Sequence, residues 1–432
     1  MSNLTTRQKT NIAILVAALG YFVDVYDLVL FSILRVASLK SLGVTGDKLL
    51  SDGVLLLNMQ MIGMLVGGIL WGVWGDKRGR LQVLFGSILL YSFANIANAF
   101  VTSVPQYAVL RFLAGMGLAG EIGAGITLVS ELMPKETRGY GTTIVATIGV
   151  SGAVVAGLVG DMFSWSTAYI IGGVMGLGLL LLRVSVSESG LFESIQRQEG
   201  VRCGDIRLLF SSGERFLRYL SSIVIGIPIW FVVGIIVTFS PEISLALGVV
   251  GEIKVSTAVL FCYFGITTGD FASGLVSQIW RSRKKTILTF MLLTCGLSLA
   301  LLNAGGISAE VFYGGLAMIG FFAGYWAVFV TAAAEQFGTN LRATVTTTVP
   351  NFVRGTVVLM TLLFNYLKPL IGVIGSAEVV CLIVLIASLL ALWCLSETFG
   401  KDLNFVEGDE GILDYDDLAT GSDMRKPVGS SI

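Results

Sequence analysis

The chain has 432 residues, 54% of them hydrophobic and 13% charged, with 28 basic and 29 acidic side chains and a net charge of −1. A soluble domain carries about 25% charged residues, so this composition, with a mean hydropathy of +0.83, reads as a polytopic membrane protein. The charge balance offers no footprint for nucleic acid, and the lack of any histidine removes histidine general bases, metal ligands and proton relays.

Five cysteines (Cys203, Cys262, Cys295, Cys381 and Cys394) form no C-x-x-C pair, so neither a disulfide framework nor a zinc site is expected, and no metal or other cofactor is implied. There is no nucleophile motif and no G-x-x-x-x-G-K-[ST] loop, which argues against an enzyme and against ATP-driven transport.

From the start of the chain, a polar stretch with Arg7 and Lys9 leads into an apolar run that lacks a small-residue cleavage site. That run is read as an uncleaved first helix. A helix crossing hydrocarbon needs about 20 mostly apolar residues. Twelve such spans are expected, at 11–36, 54–75, 81–100, 107–133, 140–162, 168–185, 218–240, 255–279, 286–304, 311–334, 344–367 and 377–396. The fold class is therefore all-α: an N-terminal six-helix bundle (1–185), a central loop (186–217), a C-terminal six-helix bundle (218–396) and an acidic, disordered tail (397–432). With the N-terminus in the cytosol, 21 of the 28 Lys and Arg residues lie in cytosolic segments and four on the other side. The positive-inside rule thus puts both termini in the cytosol of a multi-pass protein, the bacterial inner membrane being the expected location. The lack of a large soluble domain argues for a monomer, with the lipid bilayer as its surroundings.

The halves repeat. Glu131-x6-Arg138 closes the fourth span and Glu335-x6-Arg342 the tenth, offset by 204 at both ends. Ser187-Glu188-Ser189 follows the sixth span and Ser396-Glu397-Thr398 the twelfth. The run Arg281-Ser-Arg283-Lys284-Lys285 answers Lys77-Arg78-Gly79-Arg80. Two parallel six-helix repeats form a transporter architecture with its substrate site between the halves.

The loop after the second span, Gly72-Val-Trp-Gly75-Asp76-Lys77-Arg78-Gly79-Arg80, resembles the G-x-x-x-D-R-x-G-R-[RK] loop of the major facilitator superfamily. Arg111-x3-Gly115-x-Gly117-x2-Gly120-Glu121 is similar to a fourth-helix signature of its sugar-porter and metabolite–proton symporter branches, as are the closures at Glu188-Ser189 and Glu397-Thr398. Gln278 stands where an aspartate is usual, and both closures lack the flanking proline. The resemblance implies a secondary active transporter that carries a small polar metabolite, an organic anion among the candidates, by proton-coupled symport and alternating access. A proton-coupled antiporter or exporter, and an importer of a cation or metal chelate, stay open as alternatives, because interior carboxylates outnumber interior arginines.

Charged groups inside a membrane cost at least ~2.5–3.5 kcal/mol each and should face the interior and pair. Asp24 and Asp27 lie three apart on the first span and share a face, where both cannot stay ionised cheaply. The resemblance implies that Asp27 carries the coupling proton and that Arg111 tunes it; Asp24 and Glu121 are the further coupling candidates. Arg354 lies twelve residues past Arg342, about 18 Å into the bilayer, and suits an anionic substrate or a cross-half partner. Asp270, after Gly269, is a candidate partner. Trp230, Tyr325, Trp326, Asn351 and Gln60 complete the candidate substrate set. Asp76, Arg80, Glu131, Arg138, Glu335 and Arg342 resemble the family's cytosolic gate. Arg35 and Asp161, near the outer ends of their spans, are expected to reach interfacial water.

Overall fold

The computed structural model describes residues 6–46, 48–78, 80–120, 138–183, 206–401, 405–408 and 411–414. Glu121 and Glu131 fall outside them, as do the side chains of Asp76, Arg80 and Arg138. In hydrocarbon every backbone N–H and C=O must be satisfied within the protein, so the apolar runs become helices. The first half contributes α1 (Thr6–Ser41), α2 (Lys48–Arg78), α3 (Arg80–Asn98), α4 (Val104–Leu118), α5 (Arg138–Met162) and α6 (Trp165–Arg183). The second half contributes α7 (Gly213–Val224), α8 (Ile227–Phe231), a π-helical turn (Val232–Val237), α9 (Ser240–Leu247), α10 (Val255–Ile279), α11 (Arg283–Leu302), α12 (Ala309–Ala323), α13 (Trp326–Glu335) and α14 (Thr339–Cys394). Among the described residues, eight helical runs are long and apolar enough to cross a membrane. One of them, Thr344–Cys394, has 51 residues, about 76 Å of helix, enough for two crossings of a core about 30 Å thick. Gly372, with a φ of 76° that glycine adopts at little cost, interrupts it between the expected eleventh and twelfth spans.

Three expectations need correction. The seventh and tenth spans are broken rather than continuous. Pro228 and Pro241 open α8 and α9, where a missing N–H leaves no bond unmade. The tenth span breaks at Gly324 and Tyr325, between α12 and α13. The breaks meet: the Tyr325 hydroxyl donates to the Ile225 carbonyl at 3.0 Å. The tail, expected to lack order throughout, carries an antiparallel hairpin of β1 (Phe405–Gly408) and β2 (Gly411–Asp414). Its Glu407 is buried against Arg215 at 2.9 Å, which gives an otherwise acidic segment a place to fold.

Two seams join the halves, α2 against α14 and α5 against α10. Within the halves the repeat extends to the glycine packing of α2 and α10. A Cβ on Gly63 or Gly67 of α2 would strike the α4 carbonyls of Phe112 or Met116, and a Cβ on Gly265 or Gly269 of α10 the α12 carbonyls of Ala317 or Phe321. The paired glycines are 202 residues apart (265 against 63, 269 against 67). Both pairs read G-x-x-x-G, the spacing that lets two membrane helices approach backbone to backbone.

Candidate substrate and coupling site

The candidate groups converge where α1 crosses the second half. Arg354 of α14 is buried and pairs through Nη2 with Asp24 Oδ2 at 3.3 Å, a contact between the halves. Its guanidinium lies 5.6 Å from the Trp230 ring and 5.9 Å from the Trp326 ring, and the two indoles meet edge to face at 6.4 Å. The π-helical turn begins two residues after Trp230, and Trp326 opens α13 after the break, so both aromatics sit beside irregular backbone. Such turns in a membrane helix occur where they line a cavity or are buried in protein.

Asp270 does not pair with Arg354. Its Oδ1 accepts the Ala327 N–H at 3.1 Å, so the carboxylate caps the N-terminus of α13, where the helix dipole favours negative charge. Among the described residues, Arg354 Nε and Nη1, the indole N–H groups of Trp230 and Trp326, and Asp270 Oδ2 are buried without a hydrogen-bond partner. Native proteins leave few such atoms unmatched. Donors outnumber acceptors in this set, which favours an anionic ligand over a cation.

Asn351, Gln60 and Tyr325 are engaged elsewhere. Asn351 Nδ2 donates to the Ala119 carbonyl across the seam at 2.9 Å, Gln60 Nε2 to the Leu28 carbonyl at 3.4 Å, and Tyr325 joins the two helix breaks.

Asp27 turns away from Asp24 into the first half. Three residues advance a helix by about 300°, so two side chains at that spacing point about 60° apart. That is enough to send Asp24 to Arg354 and Asp27 against Gly172 of α6, where an added Cβ would lie 2.3 Å from Oδ1. Arg111 forms no ion pair with Asp27 here. It donates to Asn95 Oδ1 at 2.7 Å and lies 4.8 Å over the Tyr169 ring. Arg111 and Asp24 are within electrostatic reach of Asp27, and the Asn95 side chain faces it as a hydrogen-bond partner.

Arg35, expected to reach water, is fully buried. It meets Glu242 of α9 at 2.7 Å and the Thr238 carbonyl at 3.3 Å, while Ser32 bonds Thr238 Oγ1 at 3.1 Å. This buried cross-half ion pair was missed; Glu242, behind Pro241 at the end of an apolar span, was the available signal. Asp161 pairs with Lys254 at 3.8 Å at an exposed position. At the other, basic end, Glu335 and Arg342 bond to described residues of their own half. Glu335 takes Arg283 at 3.4 Å and Thr398 at 2.7 Å, and Arg342 donates to the carbonyls of Ala334 and Phe337 at 3.3 and 3.2 Å. Glu397 caps the start of α11 by accepting the Arg283 N–H at 2.8 Å and the Ser282 hydroxyl.

Known proteins share this fold. The solved proton:xylose symporter XylE, bound to 6-bromo-6-deoxy-D-glucose, superposes with a TM-score of 0.73 at 16% identity over 92% of this chain and 98% of that one. The putative niacin/nicotinamide transporter NiaP of Bacillus subtilis (strain 168) is 26% identical over 342 residues, 76% of this chain and 81% of that protein. The 4-hydroxybenzoate transporter PcaK of Pseudomonas putida is 33% identical over 141 residues, 32% of each chain. The family profile described as Major Facilitator Superfamily matches residues 17–355. With a twelve-span helical fold, two internally repeated halves and that match, the chain belongs to the major facilitator superfamily of multi-pass membrane transporters of small molecules.

Proposed function

We propose that the chain is a proton-coupled symporter of a small aryl carboxylate, working by alternating access between two six-helix bundles with its basic end in the cytosol. The observation that carries this reading is the buried Arg354 guanidinium, held between two indoles and neutralised by a carboxylate of the opposite half. A flat ring bearing a carboxylate matches such a site: the carboxylate takes the guanidinium in bidentate fashion and the ring lies on the indoles. The names of two relatives, for niacin and for 4-hydroxybenzoate, describe ligands of this class. Asp24 and Asp270 are already engaged by Arg354 and by the α13 N-terminus, which reduces the carboxylate excess behind the alternative of a cation or metal chelate as cargo and so supports an anion.

Coupling follows from competition. When the substrate carboxylate takes Arg354, Asp24 loses its counter-charge in a water-poor cleft, and an uncompensated charge there is costly. Uptake of one proton by the Asp24–Asp27 pair, one helical turn apart, removes that cost. Substrate and proton are then bound together and released together when the halves rock and Asp24 regains Arg354.

The test is uptake into proteoliposomes of nicotinate, benzoate, 4-hydroxybenzoate, nicotinamide and xylose, each with and without an inward proton gradient. Accumulation of an aryl carboxylate only with the gradient, lost in Arg354→Ala, is the expected result. Accumulation of the neutral amide or the sugar instead, or carboxylate movement that ignores the gradient, contradicts the reading.

A further inference from the structure

The first half contains a buried polar column separate from the central cleft. Tyr107 precedes Arg111 by four residues on α4, and Tyr169 precedes Gly172, the contact of Asp27, by three on α6, so each tyrosine sits one turn from the coupling group on the same helix face. Their hydroxyls meet at 2.5 Å, and the Tyr107 hydroxyl reaches Ser38 Oγ at 3.4 Å. Ser38, Tyr107 and Tyr169 are fully buried, and Ser41, one turn further along α1, is exposed. The Tyr169 ring carries Arg111 at 4.8 Å. Below it, Arg111 Nε and Nη1 and Ser92 Oγ have no hydrogen bond among the described residues, and the Asp27 carboxylate has only the Asn95 side chain as a loose hydrogen-bond partner. Buried polar atoms grouped in this way are the condition under which internal water is held.

Meanwhile the central cleft is shut at the same end of the molecule by Arg35 and Glu242 at 2.7 Å. A proton moving between that end and Asp27 through the cleft must wait for the pair to part. The hydroxyl column needs no such opening.

We propose that Ser38, Tyr107 and Tyr169 conduct the coupling proton to Asp27 through the interior of the first half, separately from the substrate's route. The inference rests on the proton-coupled reading above. At rest the Tyr107 hydroxyl donates to Ser38 Oγ and Ser38 Oγ to the Arg35 carbonyl, so the hydroxyls first rotate to point inward. In each step a hydroxyl oxygen then accepts a proton on a lone pair and releases its own to the next group: Ser38 to Tyr107, Tyr107 to Tyr169 across the 2.5 Å bond, and Tyr169, through water held among the unmatched polar atoms, to the Asp27 carboxylate, which becomes a carboxylic acid. Each hydroxyl gains and loses one proton, so the net change is one O–H bond broken in a hydronium ion at the water-exposed end, which leaves as water, and one O–H bond formed at Asp27. The groups facing Asp27 are Arg111 from α4, Tyr169 from α6, Asn95 from α3, and Asp24 and Tyr26 on α1 itself.

Tyr169→Phe and Tyr107→Phe delete the hydroxyls and keep the rings, and with them the stacking of Arg111. Gradient-driven uptake should fall on the order of 100-fold, the scale of losing a positioned proton-transfer group, while substrate counterflow without a gradient stays near wild type. Ser38→Ala should show the same split more weakly. Gradient-driven uptake at the wild-type rate and pH profile in both Phe variants would overturn the proposal. Equal loss of uptake and counterflow in variants that keep their thermal stability would overturn it too, since the tyrosines would then serve the rocking motion. An unsubstituted protein that ignores the gradient defeats the coupled reading itself, and that outcome is distinguishable because it needs no variant. Should Tyr169→Phe fail to fold, Tyr107→Phe and Ser38→Ala carry the test.

Discussion

At the scale of single residues, Asp24 holds more of the chemistry than its spacing from Asp27 suggests. It is the internal anion on Arg354, so removing its charge removes the substrate's competitor. Asp24→Asn should bind aryl carboxylate more tightly than wild type, by tryptophan fluorescence or calorimetry, and should no longer accumulate it against a gradient. The same variant leaves Arg354 buried without a counter-charge, a loss of about 3–5 kcal/mol in apo stability. Added aryl carboxylate should therefore raise the Tm of Asp24→Asn more than that of wild type. Gly172→Ala places a methyl where Asp27 Oδ1 now lies, and coupling rather than binding should suffer. At the basic end, burial works against the charge on Glu397. Hydrogen bonds from the Ser282 hydroxyl and from the N–H groups of Arg283, Phe399 and Lys284 outweigh it and hold the carboxyl below the ordinary glutamate range. Because the folded-state value is the lower one, this stabilisation is present above the unfolded value, about 4.3, and is lost as pH falls through the folded value. The Tm difference between wild type and Glu397→Gln should be full at neutral pH and close under acid conditions.

At the scale of elements, the broken helices decide where the site is. Span lengths were legible from hydropathy alone, because a backbone in hydrocarbon has only the helix to choose. The breaks were not, although Pro228, Pro241 and Gly324 were in plain view: glycine and proline are common in membrane helices, and what distinguishes a break from a tolerated residue is its neighbour. Here the neighbour is Ile225, whose carbonyl receives the Tyr325 hydroxyl and so ties one break to the other. Asp270 shows the same limit. Its sequence setting offered a partner for Arg354, while the fold supplied a helix N-terminus that exists only because the tenth span is broken. Tyr325→Phe removes one buried hydrogen bond, worth about 1 kcal/mol of stability. It should slow transport more than it weakens substrate binding, which a comparison of uptake rate with equilibrium binding would show.

At the scale of the whole molecule, the repeat was legible in loop charges and proved deeper in the packing, where G-x-x-x-G pairs recur at Gly63–Gly67 and Gly265–Gly269. The cross-half contacts were less legible, since sequence gives the depth of a charge and not its rotation about the helix. Asp24 and Arg35 lie eleven residues apart on α1, about 16 Å, and both bond to the second half, one at the candidate site and one at the far end. Under the proposed mechanism α1 links the site to the far-end contact. Glu242→Gln should open the far end, read as faster labelling by an impermeant maleimide of a cysteine introduced into the cleft in otherwise cysteine-free protein. Equal labelling with and without the substitution would mean that the pair does not hold the gate.

The claim on which this picture depends is that substrate and Asp24 compete for Arg354 and that a proton fills the place the substrate empties. It is tested most directly by adding aryl carboxylate to purified protein in weakly buffered detergent solution and following pH. About one proton taken up per substrate bound, and none in Asp24→Asn, is the expected result. Binding without proton uptake in the wild type, or the same uptake with Asp24 replaced, would contradict it.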